Sequence, residues 1–136
     1  MYQALQGNVG LGKAIEYFTS HGLTVSLPLN DTQKYDLVVE LDGSLSRVQV
    51  KTSRNRKSSG AYEVVLKRSG GASGKHVITP FDNNSCDHLF VYTSDGRMYL
   101  IPASKVRSTS SITVGIKYGE YEVRSFDFSE FASKVV

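Results

Sequence analysis

Asp36, Gln49 and Lys51 are polar residues in a stretch whose other residues are largely apolar and favour β-strands. Asp42-Gly43 divides this stretch, and such a pair tolerates the positive φ angles of a two-residue hairpin turn. With these two residues as the loop, Asp36 lies directly opposite Gln49 on the neighbouring strand. Because side chains alternate along a strand, Lys51 projects from the same face as Gln49. We therefore expect a carboxylate, an amide and an ammonium group to converge at one end of a hairpin.

This combination of groups suits the hydrolysis of a phosphodiester with the help of a divalent metal. Mg²⁺ prefers hard oxygen ligands and usually keeps few protein ligands beside the substrate phosphate. We expect Asp36, Gln49 and the main-chain carbonyl of Val50 to be its ligands, with Mn²⁺ as a substitute. Lys51 would stabilise the charge that develops on the phosphate, or hold the attacking water.

The opposite face of this hairpin is apolar and is expected to form the core. Its residues alternate with the polar ones: Leu37, Val39, Leu41, Val48 and Val50. An amphipathic helix should precede the hairpin, because apolar residues recur at helical spacing at Leu11, Ala14, Ile15 and Phe18. Asn8 is expected to cap the start of this helix and Gly22 to end it.

The remainder of the chain predicts further strands on both sides of a glycine-rich segment. That segment, RSGGASGK at residues 68–75, is expected to be a mobile loop. Strands are expected at residues 23–28, 61–67, 88–94, 97–103, 111–118 and 121–128, with a helical turn near Lys105 and a terminal helix from Ser129.

The order of the polar residues resembles the PD-(D/E)XK nuclease superfamily, with Glu16 on an early helix, then Asp36, then Gln49-Val50-Lys51. The stretch GKAIEYFTSHGLTVSLP is similar to the opening of archaeal Holliday junction resolvases and of small homing endonucleases. The stretch DHLFVYTSDGRMYLIPASKV is similar to the second strand pair of the intron-encoded branch. The resemblance implies an α/β fold with a PD-(D/E)XK-like core, in which an N-terminal helix packs on a mixed β-sheet. It makes Asp36 and Gln49 metal ligands, Lys51 the catalytic lysine and Glu16 an auxiliary acidic residue.

Two residues depart from the pattern of that superfamily. Tyr35 stands at the proline of the motif, which affects only local backbone geometry, and Gln49 stands where most members have Asp or Glu. A neutral amide brings no charge to a metal, so metal affinity should be lower, although the intron-encoded branch is similar in having Gln there. The resemblance implies a Mg²⁺-dependent, site-specific homing endonuclease that cuts double-stranded DNA. A Holliday junction resolvase and a catalytically decayed DNA-binding or assembly protein stay open as alternatives.

Basic residues follow the polar trio and are expected to form a rim that contacts DNA phosphates. Arginine and lysine side chains track the phosphate backbone and dominate affinity without reading the sequence. The residues expected on this rim are Ser53, Arg54, Arg56, Lys57, Lys67, Arg68 and Lys75.

Length and composition set further bounds. A chain of 136 residues should form a single nuclease-like domain over residues 1–136, and its net charge of +3 permits nucleic-acid binding without requiring it. The single cysteine, Cys86, cannot form an internal disulfide, and the histidines lack the spacing of zinc ligands. No apolar run is long enough to cross a membrane, and the first residues lack the pattern of a signal peptide. We therefore expect no membrane contact and a cytoplasmic location.

Cutting both strands of a duplex requires two sites of this kind, which two-fold association provides most simply. We therefore expect a homodimer or a homotetramer. The aromatic C-terminal stretch from Tyr118 to Phe131 is the surface expected to join the subunits.

Overall fold

The computed structural model describes residues 2–30, 32–70, 77–127 and 129. Among these residues, no helix has both the length and the apolar character that crossing a membrane requires. Helix α1 spans Tyr2–Ser20. The strands are β1 (Thr24–Ser26), β2 (Leu37–Leu41), β3 (Ser44–Ser53), β4 (Asn55–Arg56), β5 (Tyr62–Val65), β6 (Arg68–Gly70), β7 (Val77–Thr79), β8 (His88–Thr93), β9 (Met98–Pro102), β10 (Ser111–Val114) and β11 (Glu122–Val123). Short 3₁₀ turns occur at Ala103–Lys105, as predicted near Lys105, and at Gly119–Tyr121.

A six-stranded mixed sheet is the centre of the fold, with the strand order β1-β2-β3-β8-β9-β11. Strands β3 and β8 are parallel, and the other neighbours in this sheet are antiparallel. Strands β4, β5 and β10 form a second, three-stranded sheet. Strands β4 and β5 belong to the crossover between β3 and β8, whereas β10 follows β9. The predicted α/β fold, with an N-terminal helix on a mixed sheet, is confirmed.

Both faces of the six-stranded sheet are covered. On one face, α1 contributes Ala14 and Phe18 to a cluster that also contains Val48 and Phe90. On the other face, residues of the smaller sheet pack against Leu89, Val91 and other buried side chains. Because Leu89 and Val91 are the register partners of Gln49 and Lys51 on β8, the polar face of β3 is also part of a core. The hairpin pattern alone does not show what covers this face.

Helix α1 begins earlier than predicted. It starts at Tyr2, so Asn8 lies inside the helix and does not cap it. The residues before Asn8 include good helix formers, at Ala4, Leu5 and Gln6, which continue the helix toward the N-terminus. The predicted end is confirmed, because Gly22 adopts a left-handed φ of 80°.

The glycine-rich segment is partly a β-ribbon. Arg68–Gly70 pairs with Val77–Thr79 in antiparallel register, so the loop prediction was wrong for these first residues. The base of the ribbon is fixed by main-chain hydrogen bonds from Leu66 and Lys67 to the carbonyl of Ser110. These tertiary hydrogen bonds hold an extended backbone at residues whose composition predicts a loop. The tip of the segment, including Lys75, lies outside the described residues.

The C-terminal aromatic residues are partly used inside the molecule. Tyr118 and Tyr121 pack against the core beneath the smaller sheet, with ring centroids 6.4 Å apart. The ring of Phe126 lies 6.4 Å from that of His21 at the end of α1. Phe128, Phe131 and the predicted helix after Ser129 lie outside the described residues. Tyr118 and Tyr121 are therefore less available for subunit contact than their sequence position indicates.

Gly10 is where α1 approaches β3 most closely, and this contact generates a test of the packing. A β-carbon at Gly10 would overlap the hydroxyl of Thr52, whereas one at Gly12 would meet nothing within 4 Å. We expect Gly10→Ala to lower the free energy of unfolding by about 1–3 kcal/mol through overpacking. We expect Gly12→Ala, the matched control, to raise it by about 0.5–1 kcal/mol, because alanine favours a helix interior over glycine. Urea denaturation of both variants measures the difference, and equal stability would contradict the close packing.

Candidate functional site

The β2–β3 hairpin has the register that the sequence predicts. Asp42 and Gly43 both have positive φ angles, of 51° and 83°. The paired residues run from Leu41 with Ser44 to Leu37 with Val48. This register confirms the predicted turn and the pairing from Leu41 to Leu37. The ladder ends there, so the pairing of Asp36 with Gln49 stays a prediction.

Asp36 lies one residue before the first pair of the ladder. Its main-chain N–H donates to the carbonyl of Val48 at 2.8 Å. Its carboxylate oxygen Oδ2 accepts a hydrogen bond from the main-chain N–H of Val50 at 2.7 Å. The side chain is exposed, and within the described residues its other oxygen, Oδ1, has no hydrogen-bond partner. The carboxylate is therefore held in place by one oxygen and offers the other.

Gln49 is buried next to this carboxylate. Its side chain is 6% exposed, and Oε1 has no hydrogen-bond partner among the described residues. Leaving a buried amide oxygen unpaired costs about 1–3 kcal/mol, which a ligand on that oxygen would offset. Together with Asp36 it supplies hard oxygen donors of the kind that Mg²⁺ binds. The residues present therefore fit the predicted metal.

Lys51 is half-buried on the same face of β3. Burial lowers the pKa of its ammonium group; the Asp36 carboxylate partly offsets this effect and the Arg68 guanidinium adds to it. Within the part of the chain that the structure describes, the ammonium forms no ion pair. Lys51 therefore lies within electrostatic reach of Asp36 and has donors available for a bound phosphate or water.

Val50 connects the two proposed ligand side chains through its backbone. Its N–H anchors Asp36, and its side chain packs with the helix-side core around Val48. Both contacts fix the orientation of this segment. The role of the Val50 carbonyl as a third metal ligand stays a prediction.

The auxiliary role expected of Glu16 stays a prediction. Glu16 is exposed on α1, and it lines neither the cleft of Asp36 nor the pocket of Gln49. The residue of α1 that lines the Asp36 cleft is Leu11, which carries no charge. Among the described residues, no three acidic, histidine or cysteine side chains come together as a metal site. A metal at Asp36 would therefore depend on the Gln49 amide and on main-chain oxygens.

Ser53 was expected on the DNA-binding rim, but its side chain is in the interior. It is 4% exposed, and its hydroxyl donates to the main-chain carbonyl of Glu63. The same hydroxyl accepts from the N–H of Asn55 at 3.1 Å. These bonds link β3 to the smaller sheet, so the Ser53 hydroxyl is not available to DNA and that assignment is corrected.

The basic residues after Ser53 diverge and do not form one continuous rim. Arg54 lines an open cleft beside α1, whereas Arg56 lines a different cleft that also contains Lys117. Lys57 forms an ion pair with Glu63 at 3.5 Å, which reduces its net attraction for phosphates. Lys67 is exposed at the base of the ribbon.

Two cations next to the trio were misplaced or missed by the sequence reasoning. Arg68, assigned to the outer rim, lines both the Asp36 cleft and the pocket of Gln49. Lys34 also lines the Gln49 pocket and was not singled out. Lys34 lies in a bend before β2 begins at Leu37, so strand periodicity gave no signal for it.

The comparisons with known proteins agree with this geometry. A family model described as PD-(D/E)XK endonuclease matches residues 1–130. A solved structure, entitled the structure of a bacterial homing endonuclease, I-Ssp6803I, is similar with a TM-score of 0.69 and 29% sequence identity. That match covers 82% of this chain and 77% of the other. No curated protein matches the chain. The chain belongs to the PD-(D/E)XK endonuclease family.

Proposed function

We propose that the protein is a Mg²⁺-dependent endonuclease that cuts double-stranded DNA at specific sites, as a homing endonuclease does, with Mn²⁺ able to replace Mg²⁺. The single observation that carries this proposal is the buried, unpaired Oε1 of Gln49 beside the exposed carboxylate of Asp36. Membership of the endonuclease family supports hydrolysis of a phosphodiester. The likeness to a homing endonuclease supports DNA as the substrate.

Each residue of the site has a distinct part in the proposed reaction. A bound divalent metal would supply a Lewis acid that polarises the phosphate. Asp36 and Gln49 would hold it through carboxylate and amide oxygens, and the Val50 N–H keeps the Asp36 carboxylate from rotating away. Lys51 donates from its ammonium group to the phosphate or positions the attacking water. Because the site is partly desolvated, these electrostatic interactions are stronger than they would be in water.

The proposed DNA surface consists of separate patches, at the Asp36 cleft and at the clefts that Arg54 and Arg56 line. Its described members are Arg54, Arg56, Lys57, Lys67 and Arg68. Cutting both strands of a duplex takes two sites, so the proposed assembly on DNA is a homodimer or a homotetramer. Analytical ultracentrifugation of the protein bound to a cleavable duplex would contradict this assembly by reporting one chain per DNA.

Removing the carboxylate or the ammonium should stop cleavage without unfolding the protein. We expect Asp36→Asn and Lys51→Ala each to lower the single-turnover rate of DNA cleavage by about 100-fold or more, because each removes charge from the reacting centre. Asparagine keeps an oxygen that can accept the Val50 N–H, so the hairpin should be preserved. The measurement is cleavage of a randomised DNA library with Mg²⁺ or Mn²⁺.

Glu40→Gln and Lys105→Ala are the matched controls for this experiment. Both residues are exposed, and Glu40 lies on β2, the strand that directly follows Asp36. These controls should cut like the wild type. Wild-type cleavage retained by Asp36→Asn would refute the site, whereas a wild type that binds DNA but cuts none would favour the catalytically decayed alternative.

Gln49 gives an independent test, because its effects on stability and on activity should have opposite signs. Gln49→Leu removes a buried unpaired oxygen, so it should leave the free energy of unfolding unchanged or raise it while abolishing metal-dependent cleavage. Gln49→Glu buries a carboxylate, so it should destabilise the metal-free protein and increase stabilisation by Mn²⁺. Thermal unfolding with and without Mn²⁺ measures these effects. Normal cutting by Gln49→Leu would show that this amide is not a ligand.

The contacts of the basic residues predict unequal contributions to DNA binding. Each phosphate contact changes the slope of log affinity against log salt by about 0.9. We expect the double variant Arg54→Gln and Arg56→Gln to flatten this slope clearly, and Lys57→Gln to flatten it less, because Lys57 is already paired with Glu63. Fluorescence anisotropy at several salt concentrations gives the slopes, with Lys105→Gln as the control. An unchanged slope in the double variant would place this segment away from DNA.

A further inference from the structure

Arg68 occupies a position that differs from those of the other basic residues. It is the first residue of β6 and pairs with Thr79 across the ribbon. Its exposed side chain lines the cleft that contains Asp36 and also the narrow pocket that contains Gln49. The ribbon base that carries it is fixed by the main-chain hydrogen bonds of Leu66 and Lys67 to Ser110. A defined piece of backbone therefore holds Arg68 at both the Asp36 cleft and the Gln49 pocket.

Arg68 differs from other arginines in its ion pairing. Arg47 and Arg97 form ion pairs with Asp87 and Asp95 at 3.2 and 3.5 Å. Within the described residues, Arg68 forms no such pair, although it shares a cleft with Asp36. Its guanidinium donors are therefore available for an anion bound in that cleft.

We propose that Arg68 binds the reacting phosphate of the DNA through two parallel N–H hydrogen bonds to its non-bridging oxygens. The planar guanidinium matches the geometry of two phosphate oxygens, which an ammonium group does not. This role differs from that of a rim arginine, which contributes to affinity alone. The inference rests on the proposed function, because it specifies how the same site holds its substrate.

Separate measurements of binding and of the chemical step test this role. Arg68→Gln should lower the single-turnover rate at saturating DNA by about 100-fold or more, as removal of one preorganised donor does elsewhere. Arg68→Lys keeps the charge. It should therefore bind DNA without metal as tightly as the wild type, but recover only part of the cleavage rate that Arg68→Gln loses. Arg124→Gln is the matched control, since Arg124 is exposed and lines none of the clefts that contain Asp36 or Gln49. Because Arg68 is also exposed, thermal unfolding should be the same for all four proteins.

A second arm detects the contact itself without any metal. Once the wild-type cleavage position is mapped, a duplex is made with one neutral methylphosphonate at that phosphate. The substitution should weaken metal-free binding by the wild type and by Arg124→Gln, but have little effect on Arg68→Gln, which has already lost the contact. Equal weakening in Arg68→Gln, or a saturated rate equal to that of the wild type, would overturn the inference alone. A wild type that cuts no DNA would overturn the proposed function and the inference with it.

Discussion

Strand β3 is hydrogen-bonded to β2 on one side and to β8 on the other, and both of its faces are covered. Its polar residues are therefore drawn into the protein together with its apolar ones. Val48 packs beneath α1, whereas Gln49 faces the side covered by the smaller sheet and is buried as well. Asp36 lies just beyond the ladder of β2, where water and a substrate reach it. The site exists because this buried strand emerges next to an exposed carboxylate.

Burial gives these side chains properties that they would lack on an open sheet. The amide oxygen of Gln49 has lost its water without gaining a partner, so a ligand on it is favoured more than at an exposed position. Desolvation lowers the pKa of Lys51, and the nearby Asp36 carboxylate limits that effect. The neutral amide keeps this buried position uncharged when no metal is bound. A carboxylate buried there would carry a charge at a cost in solvation free energy. Gln49 is thus compatible with both a folded metal-free protein and the proposed metal site.

The crossover between β3 and β8 does more than connect two parallel strands. It supplies two strands of the small sheet, then Leu66 and Phe81 in the pocket of Gln49, and the β6–β7 ribbon that carries Arg68. The hydroxyl of Ser53 donates to the carbonyl of Glu63 and so links the start of this crossover to β5. The β4–β5 hairpin is therefore packed against the strand that carries the polar site. The cations therefore fall into two groups. Arg68 and Lys34 line the clefts of the site, whereas Arg54 and Arg56 line other clefts. This arrangement is consistent with separate contributions to chemistry and to DNA affinity.

Local rules were sufficient for the hairpin. Asp42-Gly43 sets the turn, the turn sets the register, and the alternation of side chains then places Gln49 and Lys51 on one face; the order of these residues also indicated the family. The sequence did not predict the burial of that face, the interior position of Ser53 or the place of Arg68. Each of these depends on contacts between segments distant along the chain, such as Ser53 with Glu63 and Lys67 with Ser110. Period and propensity describe one segment at a time, so which segment covers a face, and which cation comes beside a carboxylate, was decided only by tertiary packing.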